Sequence, residues 1–262
     1  MRLANFTIPL FVPGNRPERF EKAAASGADA IVIDLEDAVP GDAKNEARAA
    51  LQADFSHMPV LVRVNGEGTP WHADDMAVVS KLPFAAIIVP KAELGGVLAD
   101  IAANYGLPVL PLIETARGLS QARQIAKLPG VARLVFGTVD FCADLGCAHI
   151  REALLAARTE LVLASRLAGL QSPIDGVTTS IDDGALVASD ARYALDLGFG
   201  GKLAIHPRQI EAIRTGFKPT PSEVEWAEKV VASGDGAAAV NGAMVDEPVR
   251  IRARFILARA AD

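Results

Sequence analysis

The sequence predicts an α/β fold, a (β/α)₈ barrel over residues 1–215 followed by a helical extension over residues 216–262. Short apolar runs recur about every 25 to 30 residues, and the segments between them have helical character. This alternation is typical of βα units that form a parallel sheet. Eight such units fit a closed barrel better than a doubly wound sheet, because no GxGxxG turn follows a strand.

The eight predicted strands are nearly continuous apolar runs, as expected of strands that are buried on both faces. They lie at residues 7–12, 30–35, 59–64, 85–90, 108–114, 132–137, 173–178 and 202–206. Because they are parallel, each needs a crossover connection to the next, and that connection is usually a helix.

Six segments between the strands carry strong helix formers with apolar residues three or four positions apart. These predicted helices lie at residues 16–26, 42–54, 93–105, 116–128, 151–169 and 183–198. In the extension, residues 217–231 and 249–260 are predicted helices, and the Gly- and Ala-rich residues 232–249 are predicted to be mobile. We expect the extension to cap a barrel, either its own or that of a neighbouring subunit.

The composition favours a globular protein and argues against two classes of partner. Hydrophobic residues make up 50% of the chain and charged residues 22%, so a sizeable core is expected. With 26 basic and 32 acidic residues the formal charge is −6, and the lack of a long basic run argues against nucleic acid. The apolar runs are well short of the roughly 20 residues that a membrane helix needs. The N-terminus lacks a small-residue cleavage site, so we expect a cytoplasmic protein.

Cys142, Cys147 and His149 lie close together in the stretch FCADLGCAH. A structural zinc site needs four suitably spaced ligands, and this stretch offers three at most, without a CxxC pair. We therefore favour two buried free thiols over a metal site.

An acidic cluster follows the second predicted strand, where Asp34, Glu36 and Asp37 end the run IVIDLEDAV. In a (β/α)₈ barrel the loops after the strands carry the active site, so these acids are expected on its rim. Cations across the rim would keep them ionised. The candidate cations are Arg16, Arg63 and Lys91. The alternative is that Asp34 and Asp37 cap the next helix or accept hydrogen bonds from loop amides.

Glu114 and Asp140 follow the fifth and sixth strands, which are neighbours in a barrel. Two carboxylates side by side, with room for water, are what Mg²⁺ requires, although strand-end carboxylates also bind backbone amides. Gly137 and Thr138 precede Asp140, and a turn there would direct backbone N–H groups toward an anion. His206 near the eighth strand is either a base or a structural residue.

Several stretches together resemble one family, the citrate lyase β-subunit-like proteins of the HpcH/HpaI aldolase group, which includes malyl-CoA and citramalyl-CoA lyases. Over residues 8–210 the matching stretches are FVPGNRPERFEKA, GADAIVIDLEDAV, VRVNGEGTPW, IIVPKAE, LIETARGL, VFGTVDFCADLG and GFGGKLAIHPRQI. The segment GAMVDEP near residue 246 resembles the C-terminal element of the family.

The resemblance implies a (β/α)₈ barrel, usually trimeric or hexameric, that binds Mg²⁺ at its top face. It also implies cleavage or formation of a C–C bond between an acyl thioester, carried on CoA or on an acyl carrier, and an α-keto acid such as oxaloacetate, glyoxylate or pyruvate. By the same resemblance, Glu114 and Asp140 are the expected metal ligands.

The resemblance also assigns roles to other residues. Arg63 would hold a substrate carboxylate bidentately, with help from the amides around Gly137 and Thr138. Glu36 and Asp37 would anchor metal-bound waters and Arg63. Asp246 would be an acid/base donated to the site of a neighbouring subunit. The CoA pocket has no clear motif: Arg16 and Lys91 are basic rim residues that either meet the phosphates of CoA or pair with Asp34 or Glu36.

Three functional hypotheses follow. The first is a Mg²⁺-dependent lyase that acts on a citryl-, malyl- or citramalyl-type thioester. The second is a non-catalytic or regulatory barrel subunit that binds a keto acid. The third is an HpcH-type aldolase that acts on free hydroxy-keto diacids and needs no thioester. The match to IDLEDAV and IHPRQI favours the first.

Overall fold

The structure is a computed structural model of the 262-residue chain, and it describes residues 5–104, 106–234, 236 and 238–261. The division between two compact units falls after Gly216. Among the described helices, none combines the length and the apolar character that crossing a bilayer demands.

The first unit is built on one sheet of eight parallel strands in sequential order. The strands are β1 Pro9–Pro13, β2 Ala30–Asp34, β3 Val60–Arg63, β4 Ala86–Val89, β5 Val109–Ile113, β6 Val135–Phe136, β7 Ile174–Asp175 and β8 Gly201–Lys202. The segment that follows β8 returns to β1. The amide of Phe11 donates to the carbonyl of Ala204 at 2.9 Å, and the amide of Ala204 donates to the carbonyl of Pro9 at 2.9 Å. The sheet therefore closes, and the predicted (β/α)₈ barrel is confirmed, with a strand at each predicted position.

One or two helices follow each strand of the barrel. They are α1 Phe20–Ala24, α2 Lys44–Ala49, α3 His72–Val79, α4 Gly96–Asn104, α5 Ala116–Ser120, α6 Ala122–Ile125, α7 Thr138–Leu145, α8 Arg151–Leu167, α9 Gly184–Leu197 and α10 Ile210–Phe217. Tyr105, the last residue of one predicted helix, lies outside the described residues.

Three of these helices were not predicted from the sequence: α3, α7 and α10. The one with functional consequences is α7, because the turn expected after β6 is instead the first turn of a helix. This helix ends at Gly146, which adopts the left-handed conformation (φ 68°) that favours glycine at a helix C-terminus. Asp140 therefore lies in the first turn of α7 and not at the end of a strand.

The barrel interior is filled by alternate strand residues, because successive side chains of a strand point to opposite faces. The interior cluster consists of Phe6, Ala30, Val32, Leu61, Ala86, Ile88, Leu110, Leu112, Val135, Ile174 and Leu203. The residues between them, such as Ile31 and Ile33, are also buried. Burial on both faces explains why the strands lack a polar alternation.

The second unit contains α11 Pro221–Ala232, a hairpin of β9 Ala238–Val240 and β10 Ala243–Val245, and α12 Glu247–Ala261. A capping box between Thr220 and Glu223 begins α11. The hairpin lies within residues 232–249, where no strand was predicted; the mobility expected of this stretch stays a prediction. Asn241 and Gly242 both have positive φ, 52° and 79°, as a two-residue turn of this kind requires. Asp235 and Ala237, which were part of that expectation, lie outside the described residues.

A buried polar network fixes the end of β3. Asp75 of α3 is fully buried, and one of its carboxylate oxygens pairs with Nη1 of Arg48 at 2.6 Å. The other oxygen accepts hydrogen bonds from the backbone amide of Asn65 at 2.8 Å and from its side-chain amide at 2.6 Å. The network joins α2 and α3 to the segment that follows Arg63.

We expect Asp75→Ala to lower the free energy of unfolding by about 3 kcal/mol, because it leaves Arg48 buried without its closest carboxylate and Asn65 without its acceptor. Thermal unfolding should show a Tm lower by roughly 6 °C or more. Asp74→Ala is the matched control, since Asp74 is exposed and lies 3.5 Å from Arg48. Equal Tm values for the two variants would contradict this account.

Candidate active site at the barrel mouth

A cavity of about 480 Å³ opens at the carboxyl ends of the strands. Its polar lining consists of Asp34, Asp37, Arg63, Glu114, Thr138 and Asp140. In a (β/α)₈ barrel this end carries the functional groups. The cavity therefore brings together most of the candidate residues identified from the sequence.

The strand register explains how three of these side chains reach the cavity. Asp34, Arg63 and Glu114 each lie two positions after an inward-facing core residue, so they continue the interior rows upward. Asp34 and Arg63 are also direct partners in the parallel pairing of β2 with β3. Their contact therefore follows from the barrel topology.

Asp34 and Arg63 form a buried bidentate ion pair. Nε of Arg63 donates to Oδ1 of Asp34 at 2.7 Å, and Nη2 donates to Oδ2 at 2.6 Å. Asp34 also accepts hydrogen bonds from the amides of Glu36 at 2.9 Å and Ala38 at 3.0 Å. Asp34 thus does both things that the sequence left open: it faces a cation and it binds loop amides. Asp37 caps no helix.

The outer edge of the Arg63 guanidinium faces two further acids. Nη1 lies 3.2 Å from Oδ2 of Asp37 and 2.9 Å from Oε2 of Glu36. Oε2 of Glu36 is buried and still lacks a hydrogen bond of acceptable geometry. Burial opposes the charge on Arg63, but the carboxylates of Asp34, Glu36 and Asp37 outweigh that effect and raise the pKa of the guanidinium. These contacts occupy Nε, Nη1 and one N–H of Nη2, so the second N–H of Nη2 is what they leave for a substrate carboxylate.

Lys91 holds a second group of acids together. Its ammonium lies 2.7 Å from Oε1 of Glu36, 3.9 Å from Oε1 of Glu114 and 3.7 Å from Oδ2 of Asp140. Its backbone has φ 48°, unusual for a residue other than glycine, and its amide donates to Oε1 of Glu114 at 2.7 Å. Three carboxylates therefore converge on one position that attracts a cation.

Glu114 is almost fully buried, and this changes its acidity. Burial, together with the nearby negative charges of Glu36 and Asp140, raises the pKa of its carboxyl to about 8. Gly137 makes the position possible, because a Cβ there would lie 2.4 Å from Oε2 of Glu114 and 2.6 Å from its Cβ. Any larger residue at 137 would displace the carboxylate.

Thr138 is the first residue of α7, and the first amides of a helix have no partner within the helix. These amides begin beside the cavity, and the anion site around Gly137 and Thr138 stays a prediction. The Thr138 side chain is packed tightly, since a Cβ on Gly176 would lie 2.4 Å from its Oγ1. Nε2 of His149 is 2.9 Å from the same oxygen.

Three candidate residues lie elsewhere. Arg16 does not line the cavity, and its Nε bonds to exposed Glu18 at 2.6 Å. Asp246 belongs to the second unit and directly precedes α12. Its carboxylate accepts a hydrogen bond from the amide of Val249 at 3.3 Å. Nδ1 of His206 accepts a hydrogen bond from the Arg208 amide at 3.1 Å and begins a short 3₁₀ helix. The substrate-binding role of Arg16 and the acid/base role of Asp246 stay predictions.

The cysteines are free thiols: Cys142 is buried and Cys147 is half-buried. His149 bonds to Thr138 instead of joining them at a metal. In the described parts of the chain, no group of three or more His, Cys, Asp or Glu side chains is arranged to hold a metal. A site with two carboxylate ligands falls below that number.

Sequence reasoning missed two positioning residues. Lys44 is buried and donates to the carbonyls of Leu35 at 2.6 Å and Glu36 at 2.7 Å, with the Trp71 ring 5.1 Å from its ammonium. It thereby holds the turn that carries the acids. His149 was considered only as a zinc ligand. Neither role has a local signal, because each depends on contacts formed only in the folded barrel.

The family model described as HpcH/HpaI aldolase/citrate lyase matches residues 7–207, most of the chain. The chain belongs to this family. The resemblance seen in the motifs is thus confirmed, and with it the prediction of a lyase-family enzyme.

Similar proteins from this family cover nearly the whole chain. A citrate lyase subunit beta-like protein from Deinococcus radiodurans is 36% identical, with 96% of each chain aligned. A (3S)-malyl-CoA thioesterase from Cereibacter sphaeroides is also 36% identical, with 97% of this chain and 94% of that protein aligned. The crystal structure of CitE from Mycobacterium tuberculosis with magnesium, acetoacetate and coenzyme A has a TM-score of 0.90, 34% identity and 99% coverage of both chains.

We expect Glu114→Gln to stabilise this family member in metal-free buffer at alkaline pH. With a pKa raised from 4.5 to about 8, Glu114 keeps its proton in the folded state after the unfolded chain has lost it. The wild-type protein therefore loses stability as the pH rises from 4.5 to about 8, whereas the glutamine of the variant stays neutral over this range. Thermal unfolding with a chelator should give similar Tm values near about pH 5 and a variant Tm higher by on the order of 5 °C near about pH 9.

Glu93→Gln provides the control, because Glu93 is a half-buried acid near the same loop that pairs with exposed Arg117. It should produce no gap that grows with pH. A gap for Glu114→Gln that is the same at both pH values would contradict the raised pKa as its cause.

Proposed function

We propose that this chain is a Mg²⁺-dependent carbon–carbon lyase. It cleaves or forms a citryl-, malyl- or citramalyl-type thioester, whose products are an acyl thioester and an α-keto acid such as oxaloacetate, glyoxylate or pyruvate. The observation that carries the proposal is the convergence of Glu36, Glu114 and Asp140 on one cation position, in the same cavity as Arg63 and the first turn of α7.

The donor set fits Mg²⁺. Glu114 and Asp140 supply hard carboxylate oxygens, and Mg²⁺ typically takes one or two of these with water and substrate for the rest. Oε2 of Glu36, buried without a hydrogen bond, is suited to accept one from a metal-bound water. When bound there, Mg²⁺ would act as a Lewis acid toward the oxygens of the keto acid. The similar CitE structure contains magnesium, which supports this assignment.

The chain's own residues orient the substrate. The remaining N–H of Arg63 and the amides of Thr138 and Val139 are suited to hold the keto-acid carboxylate. Asp34 and Asp37 fix the position of the guanidinium. The carboxylate would thus bind to a group that is already in position, which lowers the entropy cost of binding.

Asp246 is the proposed acid/base. It would donate a proton to the thioester's α-carbon in cleavage and remove one in the reverse reaction. It would act in the site of a neighbouring subunit within a trimer or hexamer. One support is the resemblance of GAMVDEP to the family's C-terminal element. The other is the position of Asp246 directly before α12, where its carboxylate accepts one long hydrogen bond. A carboxylate held this loosely can exchange a proton with a substrate.

A second candidate function is hydrolysis of a malyl-type thioester. The observation that favours it is the similarity to a (3S)-malyl-CoA thioesterase over almost the whole chain. The two reactions share the carboxylate site and differ in the bond that breaks. Cleavage of the C–C bond releases a keto acid, whereas hydrolysis releases a hydroxy acid and a free thiol.

The direct test supplies purified protein with Mg²⁺ and each of the three thioesters, on CoA and on an acyl carrier, and follows both sets of products. We expect keto acid release that a chelator abolishes. Hydroxy acid and free thiol alone would favour the thioesterase. Keto acid binding without turnover would favour a regulatory subunit, and cleavage of a free hydroxy-keto diacid would favour an HpcH-type aldolase.

Gly137→Ala should weaken Mg²⁺ binding by at least about tenfold, because the added Cβ displaces Glu114. Isothermal titration with MgCl₂ in the presence of pyruvate measures the effect. Gly66→Ala is the matched control, since the nearest atom to its added Cβ is Cγ of Pro90 at 3.9 Å. Unchanged Mg²⁺ affinity in Gly137→Ala would remove Glu114 from the proposed ligand set.

Asp246→Asn should lower kcat by roughly 100-fold while Mg²⁺ and keto acid still bind, because it removes the proton donor and leaves the carboxylate site intact. Glu247→Gln, a change in the neighbouring acid that pairs with Arg254, is the control.

Co-expression of Asp246→Asn with Glu114→Ala tests action between subunits. Activity recovered in the mixed oligomer supports it, and no recovery despite mixing contradicts it.

A further inference from the structure

The chemistry of the cavity wall narrows the identity of the keto acid; this inference rests on the proposed lyase function. The charged part of the wall comes from the ends of β2, β3 and β5 and from the first turn of α7. The other part is apolar and comes from β1, β5, β6 and the segments after β7 and β8. Its side chains are Phe11, Leu112, Phe136, Val177, Leu203 and Ile205.

Among the described residues, Arg63 is the one cationic side chain that lines this cavity. Its Nε and Nη2 already bind both oxygens of Asp34, and its Nη1 lies 2.9 Å from Glu36 and 3.2 Å from Asp37. One N–H of Nη2 remains beyond these contacts, and it can bind one carboxylate and no more. A substrate with a second carboxylate would find no further cation in the wall.

Cations close to the apolar part are neutralised by an acid of their own. Lys202 and Arg158 are both buried, and both pair with Asp175, at 3.3 Å and 2.9 Å. The ammonium of Lys202 also donates to the carbonyl of Gly176 at 2.6 Å. Neither side chain lines the cavity, so neither is available to a second substrate carboxylate.

The charge balance of the mouth points in the same direction. Five carboxyl groups and two cations meet there: with all five ionised, as binding of a divalent cation would require, the net charge is −3, and that cation reduces it to −1. A keto acid with one carboxylate adds one negative charge, and this charge lies on the side of the cavity that has hydrogen-bond donors. A dicarboxylate adds a second charge against apolar side chains, where an unpaired carboxylate is strongly disfavoured.

We infer that the keto acid of this site carries a single carboxylate and a small apolar substituent, as pyruvate does. The matching substrate is a 3-carboxy-3-hydroxybutanoyl thioester. In its cleavage the bond between the thioester's α-carbon and the carbinol carbon breaks, and the hydroxyl proton leaves as the ketone forms. The electron pair stays on the α-carbon, which takes up a proton to give the acetyl thioester and pyruvate.

The test measures dissociation constants of pyruvate, oxaloacetate and glyoxylate for the full-length protein at saturating Mg²⁺ by isothermal titration. Pyruvate should bind at least about tenfold more tightly than oxaloacetate, because only the latter leaves a carboxylate unpaired. It should also bind more tightly than glyoxylate, which has no methyl group to contact the apolar side chains. Tighter binding of oxaloacetate would overturn the inference.

Val177→Lys and Ile205→Lys each place an ammonium in the apolar part of the wall. Either variant should shift the ratio of oxaloacetate to pyruvate affinity toward oxaloacetate by about tenfold, since it supplies the missing cation. Val177→Met is the matched control, because methionine has similar length and no charge. An equal shift in Val177→Met, or no shift in both lysine variants, would overturn the inference.

These outcomes are distinct from a failure of the proposed function. If oxaloacetate is preferred and its thioester is cleaved, the lyase stands and the inference about the keto acid is wrong. If none of the keto acids binds in a Mg²⁺-dependent manner and no thioester is cleaved, the proposed function fails and this inference fails with it.

Discussion

The buried ion pair between Arg63 and Asp34 is the interaction on which the rest of the barrel mouth depends. The pairing of β2 with β3 sets the two residues side by side, and both point inward because strand side chains alternate. Asp34 then accepts two further hydrogen bonds from the amides of the next turn. One carboxylate therefore fixes both the guanidinium and the loop that carries Glu36 and Asp37. Loss of either partner would leave a charge buried without compensation.

The second acidic group follows a different principle. Lys91 reaches Glu36, Glu114 and Asp140 from a backbone conformation that few residues other than glycine adopt. Such strain persists where surrounding structure demands it, and here the amide of Lys91 is itself bound to Glu114. The burial that raises the pKa of Glu114 is also what makes a divalent cation useful, because electrostatic attraction is stronger away from water. The protein tolerates an unfavourable charge arrangement at the place where a metal would relieve it.

Much of this could be predicted from the sequence, and the failures have physical reasons. The eight strands were found because burial on both faces makes them continuous apolar runs. The rim acids were found because they end those runs. Helix α7 was missed, since its first residues were interpreted as a turn after β6. The hairpin at Asn241 and Gly242 was missed although this pair is a strong turn signal, because the surrounding Gly- and Ala-rich stretch was interpreted as mobile.

Other outcomes depended on contacts that no local pattern encodes. Arg16 was expected across the rim from the acids, but Glu18 lies two residues away and satisfies it locally. Lys44 is the first basic residue after the acids in the sequence, and it returns to bind the carbonyls of that same turn. Arg63 was expected to meet the acids and does, yet the choice of Nε and Nη2 as the groups that bind Asp34 was decided by the β2–β3 register.

The division of the mouth into a charged and an apolar part suggests how one barrel can serve several reactions. A fold does not determine function, and relatives of this chain carry names for both C–C cleavage and thioester hydrolysis. On the proposed function, the charged part recognises what all such substrates share, a carboxylate next to a carbonyl or carbinol carbon. The apolar part contacts the substituent that differs, so substitutions there alter the substrate without disturbing the ion pairs. The fate of the thioester then depends on the proton donor, which the proposal assigns to Asp246 in the second unit.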